Sequence, residues 1–120
     1  MLFTAKTSFS QAYCAAAATS TADDEIFNVT FGSLNNSSTC LTTGGAGSTL
    51  NMYSNFTAVS APILTLGSNY PLSVTVGQCG GSSYSGIAGV WIDYNQNGTF
   101  ETTEKVASGS SSSAANLTST

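Results

Sequence analysis

The residues from position 93 to position 104 have types and a spacing that suit the binding of a metal ion. A glycine stands sixth in this segment, and the candidate ligand residues are Asp93, Asn95, Asn97, Thr99, Glu101 and Glu104. The order matches a twelve-residue calcium-loop pattern, in which alternate oxygens converge on one cation while the chain curls around it. In that pattern Gly98 permits the sharp turn, and the backbone carbonyl of Thr99 is a ligand. Glu101 acts through a water molecule and Glu104 supplies two oxygens, so we expect one bound Ca²⁺.

The distribution of charge favours this interpretation, because three of the six acidic residues of the chain lie in the loop. Two positions that often carry Asp are Asn here, so we expect weak affinity, with a dissociation constant of about 10⁻⁴ to 10⁻³ M. The segment follows a predicted strand, and Phe100 is expected to anchor it in the core. A bare solvated hairpin is the alternative, since Asn97-Gly98 is also a strong signal for a tight turn.

The composition excludes several classes of protein. The only basic residues are Lys6 and Lys105, whereas a nucleic-acid-binding protein needs many cations to displace counterions from phosphates. No apolar run approaches the roughly 20 residues of a membrane-spanning helix. The chain has no His, so a Ser-His-Asp or Cys-His nucleophile cannot be built. We therefore expect neither nucleic-acid binding, nor membrane insertion, nor catalysis.

Alternating apolar residues separated by turn signals predict an all-β fold. Expected strands cover residues 26–31, 50–56, 63–66, 70–76 and 87–92, with a turn region at 32–39 and a flexible loop at 78–86. The last strand is nearly continuous in apolar residues, which predicts a central strand buried on both faces with Trp91 in the core. A spacing of about ten residues between strands favours a single antiparallel β-sandwich, Ig-like or jelly-roll-like.

The domain organisation follows from composition. Residues 1–12 are interpreted as a signal-peptide remnant or flexible leader, and residues 13–107 as the β-sandwich module. Residues 108–120 are interpreted as a Ser-rich loop or linker that leads to a further strand.

Three widely spaced cysteines indicate an oxidising compartment, with one disulfide and one leftover thiol. Cys40 and Cys79 are predicted to pair, because each lies in a loop or at a strand end beside Gly-rich chain. Cys14 is then the leftover thiol.

Several short stretches of the chain resemble the GEVED-type domain of secreted Bacteroidota proteins. The resemblance covers roughly residues 13–107 and is most specific at the Trp-Ile-Asp-Tyr-Asn-Gln stretch. In chain order the matching stretches are Tyr13-Cys14, Glu25-Ile26-Phe27 with Val29 and Phe31-Gly32, Leu34-Asn35-Asn36-Ser37, Tyr53-Ser54-Asn55-Phe56-Thr57, Leu66-Gly67-Ser68-Asn69-Tyr70 and Val90 to Phe100. The Gly-Glu-Val-Glu-Asp motif itself is absent, so the C-terminal part of the family domain is expected to be missing.

The resemblance implies an accessory module of a large exported protein, often one that leaves by type IX secretion. We expect a non-catalytic, structural or adhesive, extracellular module of a secreted or cell-surface bacterial protein. Its partners would be other domains or subunits of an extracellular assembly. Two alternatives remain: a carbohydrate-binding accessory module of a secreted hydrolase, which would bind polysaccharide, and a subunit of a surface filament assembled by strand addition.

Overall fold

The computed structural model describes residues 24–50, 52–80, 86–111 and 116–119, and these form an all-β fold. One sheet has four antiparallel strands in the order β2-β1-β3-β6, and a second sheet pairs β4 with β5. The strands are β1 Asp24–Phe31, β2 Leu34–Ser37, β3 Leu72–Gln78, β4 Gly86–Trp91, β5 Lys105–Ser111 and β6 Asn116–Ser119. A 3₁₀ turn, Thr102–Glu104, is the only helical element in these residues. The predicted all-β antiparallel class is confirmed.

Strand β3 supplies most of the buried apolar residues. Leu72, Val74 and Val76 alternate with polar residues, so the pleat turns all three to the same face, and that face is buried. Val74 and Val76 contact Ala88 of β4, with Val29 and Val90 packed against them. The core therefore joins the two sheets at β3 and β4, and the predicted strand at 70–76 is confirmed apart from a shift of two residues.

Strand β1 pairs with β3 along its whole length, with a bulge between Ile26 and Asn28. The ring of Phe27, the residue between them, lies over Gly77 of β3, where any side chain would collide with it. Gly77 is thus required for close approach of the two strands at this point.

The predicted turn region at 32–39 is wrong at residues 34–37, which form strand β2. Residues 34–37 pair with β1 although Asn and Ser have low strand propensity. The pairing is supported by Asn28 of β1, whose Nδ2 donates to Asn35 Oδ1 and to Ser37 Oγ, each at 2.8 Å. Polar bonds across the hairpin therefore replace the apolar contacts that a sequence pattern detects.

Two predicted strands are wrong. Among the described residues of the first, 50 and 52–56, there are turns, irregular backbone and an isolated bridge from Tyr53 to Thr49. Residues 63–66, the second, form no strand. Asn55 bonds locally instead, through a side chain that donates to the Ala46 carbonyl and accepts from the Thr57 N–H, each at 3.0 Å. Ile63 is apolar but 90% exposed, so it does not belong to the core in the part of the chain that the structure describes.

Strand β4 is not buried on both faces as predicted. Gly86 and Ala88 are buried, whereas Ile87 and Trp91 are exposed, so the strand has one inner and one outer face. Because the residues on both faces of β4 are apolar, its sequence does not show which face is buried. β5 extends to Ser111, so residues 108–111 are strand where a loop or linker was expected, while β6 agrees with the further strand predicted near the end.

The predicted disulfide between Cys40 and Cys79 is confirmed, with a Cα–Cα distance of 5.5 Å. It joins the segment after β2 to the residue that follows β3, across a sequence separation of 39. The predicted leader at 1–12, Cys14 and most of the loop at 78–86 lie outside the described residues. Within the described ranges, no helix has the length and apolar character needed to cross a membrane.

Candidate metal-binding loop

The predicted metal loop connects β4 to β5 and is closed at its base by the sheet. Trp91 lies opposite Lys105 in the ladder, and the Ile92 N–H donates to the Glu104 carbonyl at 3.1 Å. The strands stop at Trp91 and resume at Lys105, so Asn97 and Gly98 do not form a two-residue hairpin turn. The segment is therefore a longer loop in a β context, and calcium binding by this loop stays a prediction.

Asp93 lies at the start of the loop and binds its tip. Its Oδ1 accepts the N–H of Asn97 at 3.2 Å, and its Oδ2 accepts the N–H of Gly98 at 2.9 Å. Gly98 has a φ of 81°, a left-handed conformation that glycine adopts without steric cost. The carboxylate and the glycine together fold the chain back on itself, as the sequence pattern requires.

The two loop asparagines and Glu101 form a connected group. Asn95 Oδ1 accepts the Asn97 N–H at 2.9 Å, and Asn97 Oδ1 accepts the Thr99 N–H at 2.7 Å. The side-chain amides of Asn95 and Asn97 donate to the two oxygens of Glu101, at 3.1 and 3.0 Å. Glu101, predicted to act through water, thus contacts both asparagine side chains directly.

Glu104 is 4% exposed and contacts the backbone at both ends of the loop. Its Oε1 accepts the N–H groups of Tyr94 and Asn95, at 3.1 and 3.4 Å, and its Oε2 accepts the Glu101 N–H at 3.2 Å. A buried carboxylate is costly unless hydrogen-bonded, and these three bonds offset that cost. Glu104 therefore organises the loop, a role that the ligand pattern did not predict.

The predicted ligand residues share one loop, but the carboxylates of Asp93 and Glu104 bind different backbone amides. Asp93 contacts the amides at 97 and 98, whereas Glu104 contacts those at 94, 95 and 101. Within residues 24–50, 52–80, 86–111 and 116–119, no three His, Cys, Asp or Glu side chains are grouped so as to hold a metal ion.

The chemistry of the loop nevertheless suits calcium, which takes oxygen ligands. The candidate side chains are carboxylates, amides and a hydroxyl. The hydrogen-bond donors named above for the carboxylate and amide oxygens are all neutral N–H groups. Such donors satisfy hydrogen bonding without cancelling the charge of three carboxylates. Because a carboxylate has about four lone-pair sites, accepting N–H bonds is compatible with binding a cation.

Aromatic side chains around the loop are more exposed than expected. Trp91 is 40% exposed and Phe100 44%, so the predictions of a core Trp91 and a core-anchoring Phe100 are wrong. The Trp91 ring covers Gly89 on the outer face of β4, and Lys105 Nζ lies 5.4 Å from the ring centroid. Because Gly89 has no side chain, the Trp91 ring can lie over it on the outer face. This glycine was the sequence feature that could have indicated an outward-facing Trp91.

Comparison with known proteins agrees with the resemblance at the C-terminal part of the chain. Residues 88–120 match the family model of the GEVED domain. This span begins in β4 and includes the whole loop, β5 and β6. No curated protein and no solved structure gives a significant match.

Proposed function

We propose that this chain is a non-catalytic, structural or adhesive module of a secreted or cell-surface protein, with the loop at residues 93–104 stiffened by Ca²⁺. The observation that carries the proposal is the loop itself, where half of the chain's acidic residues lie between two paired strands. A loop rich in carboxylates that is closed at its base by a sheet gains rigidity from a bound cation. A structural module benefits from that rigidity without any catalytic group.

The residues that would hold the ion are those at alternate positions of the loop. Asp93, Asn95 and Asn97 offer side-chain oxygens, Thr99 its carbonyl, and Glu104 its carboxylate. Glu101 would join directly or through water. The ion would supply positive charge that offsets repulsion among three carboxylates whose partners named above are neutral.

The extracellular setting is supported by the Cys40–Cys79 disulfide, because such bonds persist in oxidising compartments. The GEVED match at residues 88–120 also supports it, since the family resemblance implies export from Bacteroidota cells, often by type IX secretion. Partners would be other domains or subunits of an extracellular assembly.

Carbohydrate binding is a second candidate, favoured by the exposed aromatic residues beside the loop. Trp91 and Tyr94, 40% and 65% exposed, lie within four residues of each other where β4 meets the loop. Exposed aromatic rings with nearby Asn and Glu side chains offer both the flat surface and the hydrogen-bonding groups that a polysaccharide needs.

A thermal melt tests the calcium proposal. With calcium at about ten to a hundred times its dissociation constant, binding stabilises the folded state by about 1.4 to 2.7 kcal/mol, which raises Tm by several degrees. Asp93→Asn should abolish the difference between calcium and chelator. Glu25→Gln is the matched control, since it removes one carboxylate outside the loop, and its response should equal that of the wild type. Identical wild-type melts in calcium and chelator would overturn the proposal.

A pull-down on insoluble polysaccharides tests the second candidate. Trp91→Ala should remove binding, whereas Tyr53→Ala, at an exposed aromatic in another loop, should leave it unchanged. Absence of wild-type binding across a panel of neutral and acidic polysaccharides would eliminate this candidate and leave the structural proposal intact.

A further inference from the structure

The Asn97–Gly98 peptide lies at the tip of the loop, with Asn97 exposed and Gly98 half-buried, and is surrounded by groups that can promote its chemistry. In an Asn-Gly sequence the backbone nitrogen of glycine can attack Cγ of the asparagine side chain, because glycine has no side chain to hinder the approach. The product is a five-membered cyclic imide, which water opens to aspartate or isoaspartate. The reaction is slow unless the attacking nitrogen, the carbonyl oxygen and the leaving amide group are assisted.

Each of those three atoms has a suitable partner in this loop. Gly98 N lies 2.9 Å from Asp93 Oδ2, which is within reach for a base that takes the N–H proton. Asn97 Oδ1 accepts the Thr99 N–H at 2.7 Å, which is the contact that stabilises negative charge on this oxygen during attack. Asn97 Nδ2 donates to Glu101 Oε1 at 3.0 Å, so the leaving nitrogen also faces a carboxylate.

We propose that Asn97 is a site of spontaneous deamidation promoted by the folded loop. The bond between Gly98 N and Asn97 Cγ forms as the N–H proton passes to the Asp93 carboxylate. The Cγ–Nδ2 bond then breaks, and the nitrogen leaves as ammonia after receiving a proton by way of the neighbouring carboxylates. One water molecule hydrolyses the imide, so the net change is Asn plus water to Asp or isoaspartate plus ammonia.

The product adds a carboxylate to the fifth position of the loop. The formal net charge of the chain changes from −4 to −5, because one neutral amide becomes one anion. Under the proposed function, this change would alter calcium affinity with the age of the protein. The deamidation itself does not depend on calcium, and its test is therefore made in chelator.

The experiment follows deamidation by peptide mass mapping during incubation at neutral pH in chelator. The native chain is compared with the same chain reduced and unfolded in denaturant, and Asn95, followed by Gln96 in the same loop, is the internal reference. We expect Asn97 to react about tenfold faster or more in the native chain, well below the contribution of a positioned base in an enzyme. Asn95 should not react detectably. A native rate at Asn97 equal to or below the unfolded rate would overturn the proposal.

Two variants test the assistance. Asp93→Asn should reduce the native rate toward the unfolded value, because it keeps the shape of the side chain but removes the base. Glu25→Gln should leave the rate unchanged. If Asp93→Asn folds, as judged by circular dichroism, and still reacts at the wild-type rate, the role of Asp93 is wrong. If it does not fold, the comparison of native and unfolded wild type still decides the proposal.

Discussion

Strand β3 and the loop at residues 93–104 are held in place by different interactions. β3 buries Leu72, Val74 and Val76 and pairs with β1 and β6 on either side. The loop contributes one buried side chain, that of Glu104, and depends on side-chain oxygens that accept backbone N–H groups. The first region is stabilised by removing apolar surface from water and the second by polar contacts.

This difference shows how a small β-protein with a limited core can keep a long loop ordered. In the described residues, the buried apolar side chains are Leu72, Val74, Val76 and Ala88. Such a core stabilises the strands but cannot reach the tip of the loop, where the carboxylates of Asp93 and Glu104 bind the backbone instead. Stability of the strands and order in the loop therefore depend on different interactions.

The largest expected loss of stability follows removal of the Cys40–Cys79 disulfide, which links the residue after β3 to the segment after β2. The double variant Cys40→Ala/Cys79→Ala should lose about 4 kcal/mol of unfolding free energy, because the unfolded chain regains the entropy of a long open loop. Denaturant unfolding measures the loss, with Cys14→Ala as the control. An unchanged midpoint would mean that the disulfide does not contribute to the stability of β3.

The next largest loss of stability is expected when a buried side chain of the core is shortened. Val74→Ala removes two buried carbons at a residue that is 3% exposed, so it should cost about 2 kcal/mol, including the cavity term. Ile63→Ala, at an exposed position, should change stability by less than about 0.5 kcal/mol. Equal losses at the two positions in denaturant unfolding would contradict the assignment of the core to β3.

A smaller effect is expected when Glu104 loses its charge. Glu104→Gln replaces one acceptor oxygen by an amino group that faces backbone N–H donors, so it should cost about 1–2 kcal/mol even in chelator. Hydrogen exchange should accelerate at the amides of Tyr94, Asn95 and Glu101, while β3 stays protected. Uniform acceleration across β3 would show that the loop and the core unfold together, contrary to the comparison.

The smallest effect is expected at Glu25, which lies on β1 opposite Gly77 of β3. Burial raises the pKa of this carboxyl above 4.5, so the folded state disfavours its ionised form. The associated stability is present below the unfolded pKa and is lost as pH rises through the folded pKa. Glu25→Gln should therefore flatten the fall in stability just above pH 4.5, measured by denaturant unfolding at several pH values. A steeper fall in the variant would contradict burial as the cause.

The apolar pattern of the sequence predicts β3 and β1 because their inner residues alternate with polar ones. It fails at Ile63 and Trp91, where apolar side chains face solvent, since composition does not reveal which face of a segment has a neighbour. It also misses β2, whose Asn and Ser residues pair through polar bonds to Asn28.

In the loop, ligand spacing predicts six candidate residues, which the structure places between β4 and β5. It does not predict that Glu104 points inward to three backbone amides, because those bonds depend on how the 3₁₀ turn Thr102–Glu104 lies against residues 94 and 95. Spacing along a sequence gives the order of oxygens, whereas the direction of each oxygen depends on the folded backbone.

A calcium titration followed by amide NMR tests the central claim most directly, because it reports on the loop and on β3 in one experiment. Calcium should shift the amide signals of residues 94–101 in a saturable manner, with a midpoint near 10⁻⁴ to 10⁻³ M. Signals of Leu72–Gln78 should stay in place, since the core is held independently of the ion. Unshifted loop signals at calcium concentrations well above that range, or equal shifts in β3, would contradict a calcium-stiffened loop on an independently stable sheet.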